Sequence, residues 1–327
     1  MRKTQWFTRA LVALSLPLSA EAEVPKVAVD ITPLHSLVAQ VMAGAGEPNL
    51  LVRPGASPHG YSLSPSEAEA LQEADLVFWI GDDLTPWMEK SLENLASNAQ
   101  VIEMLDISGT TTYPFREGAT FEGHDHGHAG EADGKENHHK EDHHNHGHDH
   151  HYEGVDPHAW LDPANARRWL DVIAKALSEE DPQNAALYAG NANEGKRIID
   201  DISLRVEATV DEMGDREFIV FHDAYQYFEK RFGIAAAGAI SIGDASDPGP
   251  ARIREIRERV AELNVQCVFT EPQYNPDMVR TVFEGTGVNT SAVMDPLGAD
   301  LTPGPTLYPE LIRGLAGSLR SCFGLEG

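Results

Sequence analysis

The chain has 327 residues, with 52 Asp and Glu against 25 Lys and Arg, giving a net charge of −27 with His neutral. That length exceeds one typical core and fits two domains, and a hydrophobic content of 41% can fill them, which excludes a wholly disordered chain. The acidity argues against nucleic acid or anionic lipid as a partner, because both require clustered Lys and Arg.

The chain opens with Arg2, Lys3 and Arg9, an apolar run over residues 10–20, and small residues at Ser19, Ala20 and Ala22. This is the pattern of an export signal peptide over residues 1–22, cleaved after Ala20 or Ala22. The run is too short for a bilayer anchor, and no later stretch approaches the length needed. The expected product is a soluble exported protein without membrane insertion. In that oxidising compartment the two cysteines, Cys267 and Cys322, are expected to form one disulfide.

Residues 26–31 (K-V-A-V-D-I) predict a strand and 34–42 a helix. A short strand at 50–52 ends in Arg53-Pro54-Gly55. Ser64 and Pro65 open a helix that runs to residue 74, with Ser64 as N-cap and Pro65 at its first position. Strands follow at 75–80 and 100–104. The apolar positions of 183–213 largely keep helical spacing between Asp181-Pro182 and Gly214. They predict either one long helix or two broken near Gly190 or Gly195. Further strands are predicted at 217–221, 234–239, 265–270 and 289–294. Helices are predicted at 224–231, 250–263 and 276–285. The Arg and Glu of 252–262 recur at helical spacing, which reads as a solvated face. Strands that alternate with helices predict parallel βαβ units. The expected architecture is α/β: an N-terminal lobe over 23–180, a linking helix over 181–214 and a C-terminal lobe over 215–327.

Residues 117–154 interrupt the first lobe with almost no aliphatic side chains and are expected to be disordered. Eleven of the 15 histidines fall here: His124, His126, His128, His138, His139, His143, His144, His146, His148, His150 and His151. Imidazoles interleaved with Asp and Gly predict plural, moderate metal binding without a preorganised geometry. Residues 117–156 hold 11 acids and 2 Lys, contributing −9 of the −27, so the rest of the chain is acidic in its own right.

Four histidines lie elsewhere. His59 follows a strand and a Pro-Gly turn, His158 sits in a Pro-bounded loop, and His222 ends a strand, as does Asp295. Ligands of open α/β sheets bind at the carboxyl ends of strands, which makes these four candidates for one ligand-binding rim. His35 is a weaker candidate for the same rim, and Glu271, also after a strand, is a candidate for orienting a ligand.

The segments P-G-A-S-P-H (54–59) with Tyr61, Leu63 and Pro65-Ser66, D-P-H-A-W (156–160), F-H-D-A-Y (221–225) with Tyr227-Phe228, and D-P-L-G (295–298) occur in that order with the His-rich insertion. Together they resemble the metal-specific solute-binding proteins of ABC importers, in particular the periplasmic zinc-binding ZnuA type, over nearly the whole mature chain. The resemblance implies two α/β lobes joined by one long helix, with Zn2+ as transported ligand in the cleft between them. It implies His59, His158 and His222 as zinc ligands, with a membrane permease as transient partner of a monomer. Where several zinc relatives carry an acidic residue before the first ligand His, this chain has Pro58. The fourth donor then falls to Asp295 or to water. Two other functions stay open: a secreted zinc hydrolase or hydratase with three imidazoles and a water, and a zinc buffer acting through the insertion alone. No H-E-x-x-H motif supports the enzyme.

Overall fold

The computed structural model describes residues 24–116, 154–241 and 249–325. The expected signal peptide and the eleven clustered histidines from His124 to His151 lie outside the described residues.

The first sheet comprises β1 (Val27–Val29), β2 (Asn49–Leu50), β3 (Leu76–Trp79) and β4 (Gln100–Glu103). They are parallel, in the order β2-β1-β3-β4, with Val29 opposite Leu50 on one side and Phe78 on the other. Helices α1 (Thr32–Met42), α2 (Pro65–Gln72) and α3 (Met88–Leu95) connect the strands. β1 and β3 are apolar and buried throughout, as strands covered on both faces must be. α2 begins with a complete capping box: the Glu67 N–H donates to Ser64 Oγ while the Glu67 carboxylate accepts the Ser64 N–H.

After the undescribed segment come a 3-10 turn (Ala159–Leu161), α4 (Pro163–Glu180) and α5 (Ala185–Asp211). The 27 residues of α5 run unbroken through Gly190 and Gly195 and span about 40 Å. A Cβ on Gly195 would lie 2.8 Å from Leu170 and 2.9 Å from Gln40, so glycine there admits the close approach of α4 and α1. The contact offsets glycine's poor helix propensity.

The second sheet comprises β5 (Phe218–His222), β6 (Gly238–Ser241) and β7 (Cys267–Val268), parallel and in the order β6-β5-β7. Its helices are α6 (Gln226–Phe232), α7 (Pro250–Glu262) and α8 (Pro276–Phe283). The strand expected over 289–294 is reduced to two isolated parallel bridges, Cys267 with Asn289 and Thr270 with Val293. Asn289 Oδ1 instead accepts from Ser291 N at 3.0 Å and Ser291 Oγ at 2.7 Å, and such local bonding competes with a ladder.

The C-terminal α9 (Leu307–Cys322) packs on α5 and α1. α3, α4 and α9 are not among the elements read from the sequence. One hydrophobic core runs through Val29 and Phe78 of the first sheet, Trp169 and Ile199 of α4 and α5, and Val220 and Phe269 of the second half. The two sheets are therefore braced through packed side chains as well as through α5. Cys267 and Cys322 are disulfide-bonded, with Cα atoms 6.1 Å apart, tying β7 to the end of α9. Among the described residues no helix is long and apolar enough to cross a membrane.

Candidate metal centre

Two loops and the end of a strand converge on one small pocket. The first follows β2 and carries His59. It is held from both sides: Trp87 Nε1 donates to the Pro58 carbonyl at 2.7 Å, and Tyr61 Oη donates to Glu67 Oε1 at 2.9 Å. Arg53 Nε donates to both Tyr61 Oη and Glu67 Oε1. Pro58 thus acts through its carbonyl as an anchor for the histidine that follows it.

The second loop carries His158. Asp156 Oδ1 accepts the His158 backbone N–H at 3.0 Å and lies 2.8 Å from His158 Nδ1. An ionised carboxylate only accepts, so this contact places the ring proton on Nδ1 and leaves the Nε2 lone pair to face the pocket. The other oxygen, Asp156 Oδ2, accepts from Gln226 Nε2 at 3.1 Å, and Tyr227 Oη donates to the Asp156 carbonyl at 2.6 Å. α6 therefore clasps this loop from the second half of the chain.

The third element is the end of β5. His222 Nδ1 lies 2.6 Å from Glu271 Oε2, and the His222 backbone N–H donates to Glu271 Oε1 at 3.3 Å. Glu271 is buried, and follows β7, the neighbour of β5. Its carboxylate fixes His222 as Asp156 fixes His158.

The outcome is two Nε2 atoms, of His158 and His222, facing each other at 3.4 Å. Two imidazole nitrogens bound to one tetrahedral zinc at 2.0–2.1 Å stand about 3.3–3.4 Å apart. The His59 ring centroid lies 5.8 Å from that of His158. The space between the rings is about 10 Å3, room for an ion or a water molecule. Trp160 forms part of its wall and donates from Nε1 to the Pro296 carbonyl at 2.8 Å. Among the described residues no three His, Cys, Asp or Glu side chains yet meet at full coordinating spacing. His158 and His222 do so as a pair, and the half-buried His59 stands at the rim.

A profile of the family described as "Zinc-uptake complex component A periplasmic" matches residues 27–322. The chain belongs to this zinc-uptake component A family.

It is 45% identical over 315 residues to the high-affinity zinc uptake system protein ZnuA of Brucella abortus (strain 2308), covering 91% of each chain. It is 40% identical to the protein of that name from Paracoccus denitrificans (strain Pd 1222), covering 97% of each. A crystal structure of ZnuA superimposes with a TM-score of 0.70 at 20% identity, covering 90% of this chain and 99% of that one, a likeness of fold.

Within this member of the zinc-uptake family, the structure brings His59, His158, His222 and Glu271 to one pocket. Asp295 is not in the pocket wall. Its carboxylate accepts the backbone N–H groups of Leu297, Gly298 and Ala299 and the side-chain amide of Gln273, which is in the wall. His35 is remote from it: the ring is buried in α1, with Nε2 3.1 Å from the Pro48 carbonyl. Burial lowers the His35 pKa, with the Pro48 carbonyl opposing. Sequence reasoning gives no role to Asp156 or Gln273. The signal for Asp156 is its place two residues before His158, where an Asp side chain readily takes the i+2 N–H.

Proposed function

We propose that this chain captures Zn2+ in the periplasm through His59, His158 and His222 and delivers it to the membrane permease of an ABC importer. The observation that carries this reading is the 3.4 Å approach of two imidazole nitrogens, each with its other nitrogen held by a carboxylate. Two lone pairs that face each other in a buried space repel, and a cation between them converts the repulsion into two bonds. Imidazole favours zinc over manganese or magnesium, which prefer oxygen. The names of the Brucella and Paracoccus relatives, both high-affinity zinc uptake system proteins, support the same cargo.

In this reading residues 23–180 and 215–327 act as the two lobes and 181–214 as their brace. The eleven histidines of the insertion bind further zinc more weakly, and the acidic surface raises the local cation concentration. A hydrolase is disfavoured by the engagement of Glu271 with His222.

Zinc titration with a competing chelator tests the reading in a chain that lacks residues 117–154. One tight site should survive the deletion and vanish when His158 and His222 are both replaced by Ala. Loss of all tight binding on deletion alone would leave only the buffer function.

A further inference from the structure

Gln273 stands between the pocket and Asp295. Asp295 Oδ1 accepts the N–H groups of Leu297 and Gly298, each at 3.0 Å, and Oδ2 accepts that of Ala299 at 2.6 Å. These bonds close the turn over 295–299. Oδ1 also accepts Gln273 Nε2 at 3.3 Å. A carboxylate held in this way could reach a metal only by giving up its own turn.

The contact with Asp295 also orients the Gln273 amide. The two ends of an amide are told apart by their partners. Asp295 Oδ1 already accepts two backbone N–H groups, so the NH2 end must face it and the carbonyl end must point away. Gln273 lines the pocket beside His59, His158 and His222. Its Oε1 is buried and accepts no hydrogen bond among the described residues. A buried carbonyl oxygen calls for a donor. Zinc calls for a fourth ligand, and Glu271 is spent on His222.

We infer that Gln273 is the positioning residue for a water that completes the coordination of zinc, with Oε1 accepting one of its hydrogens. This rests on the zinc-site reading above. A neutral amide cannot take the proton of that water, so the water is held without being made into a nucleophile. It is also a ligand that can leave without parting a charged pair when the ion is passed on. Asp295 then acts at one remove, by locking the amide.

The test uses the mature full-length chain with one equivalent of Zn2+ or Co2+, so that the tightest site fills first. Gln273→Leu removes the acceptor, and Gln273→Met does so at nearly constant length should the first variant fold poorly. Both should weaken zinc by about five- to tenfold, the worth of one hydrogen bond. Both should also move the pH midpoint of the Co2+ absorption spectrum, which reports ionisation of the bound water. Unchanged affinity and an unchanged midpoint would overturn the inference, as would a zinc-loaded crystal structure with a carboxylate oxygen of Asp295 on the metal. His222→Ala is run alongside. If it loses tight binding while the Gln273 variants do not, only the water assignment falls. If His222→Ala binds normally, the site itself is misplaced.

Discussion

The Nε2 atoms of His158 and His222 approach to 3.4 Å across a sequence separation of 64 residues. One ring is carried on the loop ahead of α4 and the other on the last residue of β5, so the pair joins the two halves of the molecule. Each ring is turned by a carboxylate from its own side: Asp156 for His158 and Glu271 for His222.

His222→Ala removes one of these nitrogens. A tetrahedral zinc site is worth about 10–16 kcal/mol in all, so a lost imidazole should cost several kcal/mol. Zinc affinity should fall by at least about 100-fold. Chelator competition in the chain without the insertion measures this, and a change under threefold would remove His222 from the site.

The residues behind the ligands should matter less, but measurably. Glu271→Gln keeps the size of the side chain and removes its charge. Loss of such an orienting carboxylate costs about 10–100-fold in metal affinity. Asp156→Asn should fall in the same range and also lower stability, because Asp156 is bonded to Gln226 and to the His158 N–H as well as to the ring. Affinities equal to wild type in both variants would show that the rings are held by packing alone.

The divide between what the sequence reveals and what it hides follows the range of each interaction. Ser64-Pro65-Ser66-Glu67 spells a capping box within four residues, and the box forms. His59, His158 and His222 each sit beside Pro or at a strand end, and the structure gathers them in one pocket. The role of Gln273 depends on Asp295, 22 residues away, and no local pattern states it. Asp295 itself reads as the end of a strand, but the turn that follows draws its carboxylate onto three backbone N–H groups. α4 and α9 were legible in principle. Asp162-Pro163 is an N-cap with Pro behind it, and Leu307, Leu311, Leu315 and Leu319 recur every four residues.

Arg116 is the last described residue before the insertion, and its guanidinium reaches across to Asp223 and Glu229. Nε lies 2.9 and 3.0 Å from the two Asp223 oxygens, while Nη1 and Nη2 lie 2.8 and 2.9 Å from those of Glu229. All three side chains are largely buried. Burial alone would depress the Arg116 pKa, but the charges of Glu229 and Asp223 outweigh it and hold the group firmly ionised. Arg116→Met leaves two buried carboxylates without their cation and should cost about 3–5 kcal/mol in denaturant unfolding. A cost below about 1 kcal/mol would class the contact with ordinary surface pairs.

The disulfide closes a loop with a sequence separation of 55. In the chain-entropy account such a loop is worth about 4 kcal/mol. Cys267→Ser with Cys322→Ser should lower unfolding stability by roughly that amount while leaving zinc affinity within a few fold, because neither cysteine lines the pocket. A large loss of affinity would instead mean that α9 holds the pocket in shape.

Asp30 gives a pH signature separate from the histidines. It lies at the end of β1, fully buried, where Oδ1 accepts the Ile31 N–H and Oδ2 the Ile80 N–H, both at 2.7 Å. Burial disfavours the charged form more than these bonds favour it, and the pKa is raised from 3.8 to about 7. The folded chain therefore holds a proton that the unfolded chain has released between pH 3.8 and about 7. Unfolding releases that proton, so this contribution to stability is complete below pH 3.8 and is lost as the pH rises towards 7. Its full span is at most about 4 kcal/mol. Asp30→Asn cannot titrate. It adds a constant offset, because its NH2 group meets a backbone donor, but it removes the slope. Urea unfolding of both chains at intervals from about pH 4.5 to 8 isolates the effect, since every other group titrates alike in the two. The stability of wild type relative to Asp30→Asn should fall steadily to about pH 7 and then level. Parallel curves throughout would mean that Asp30 ionises in the folded chain as it does in water.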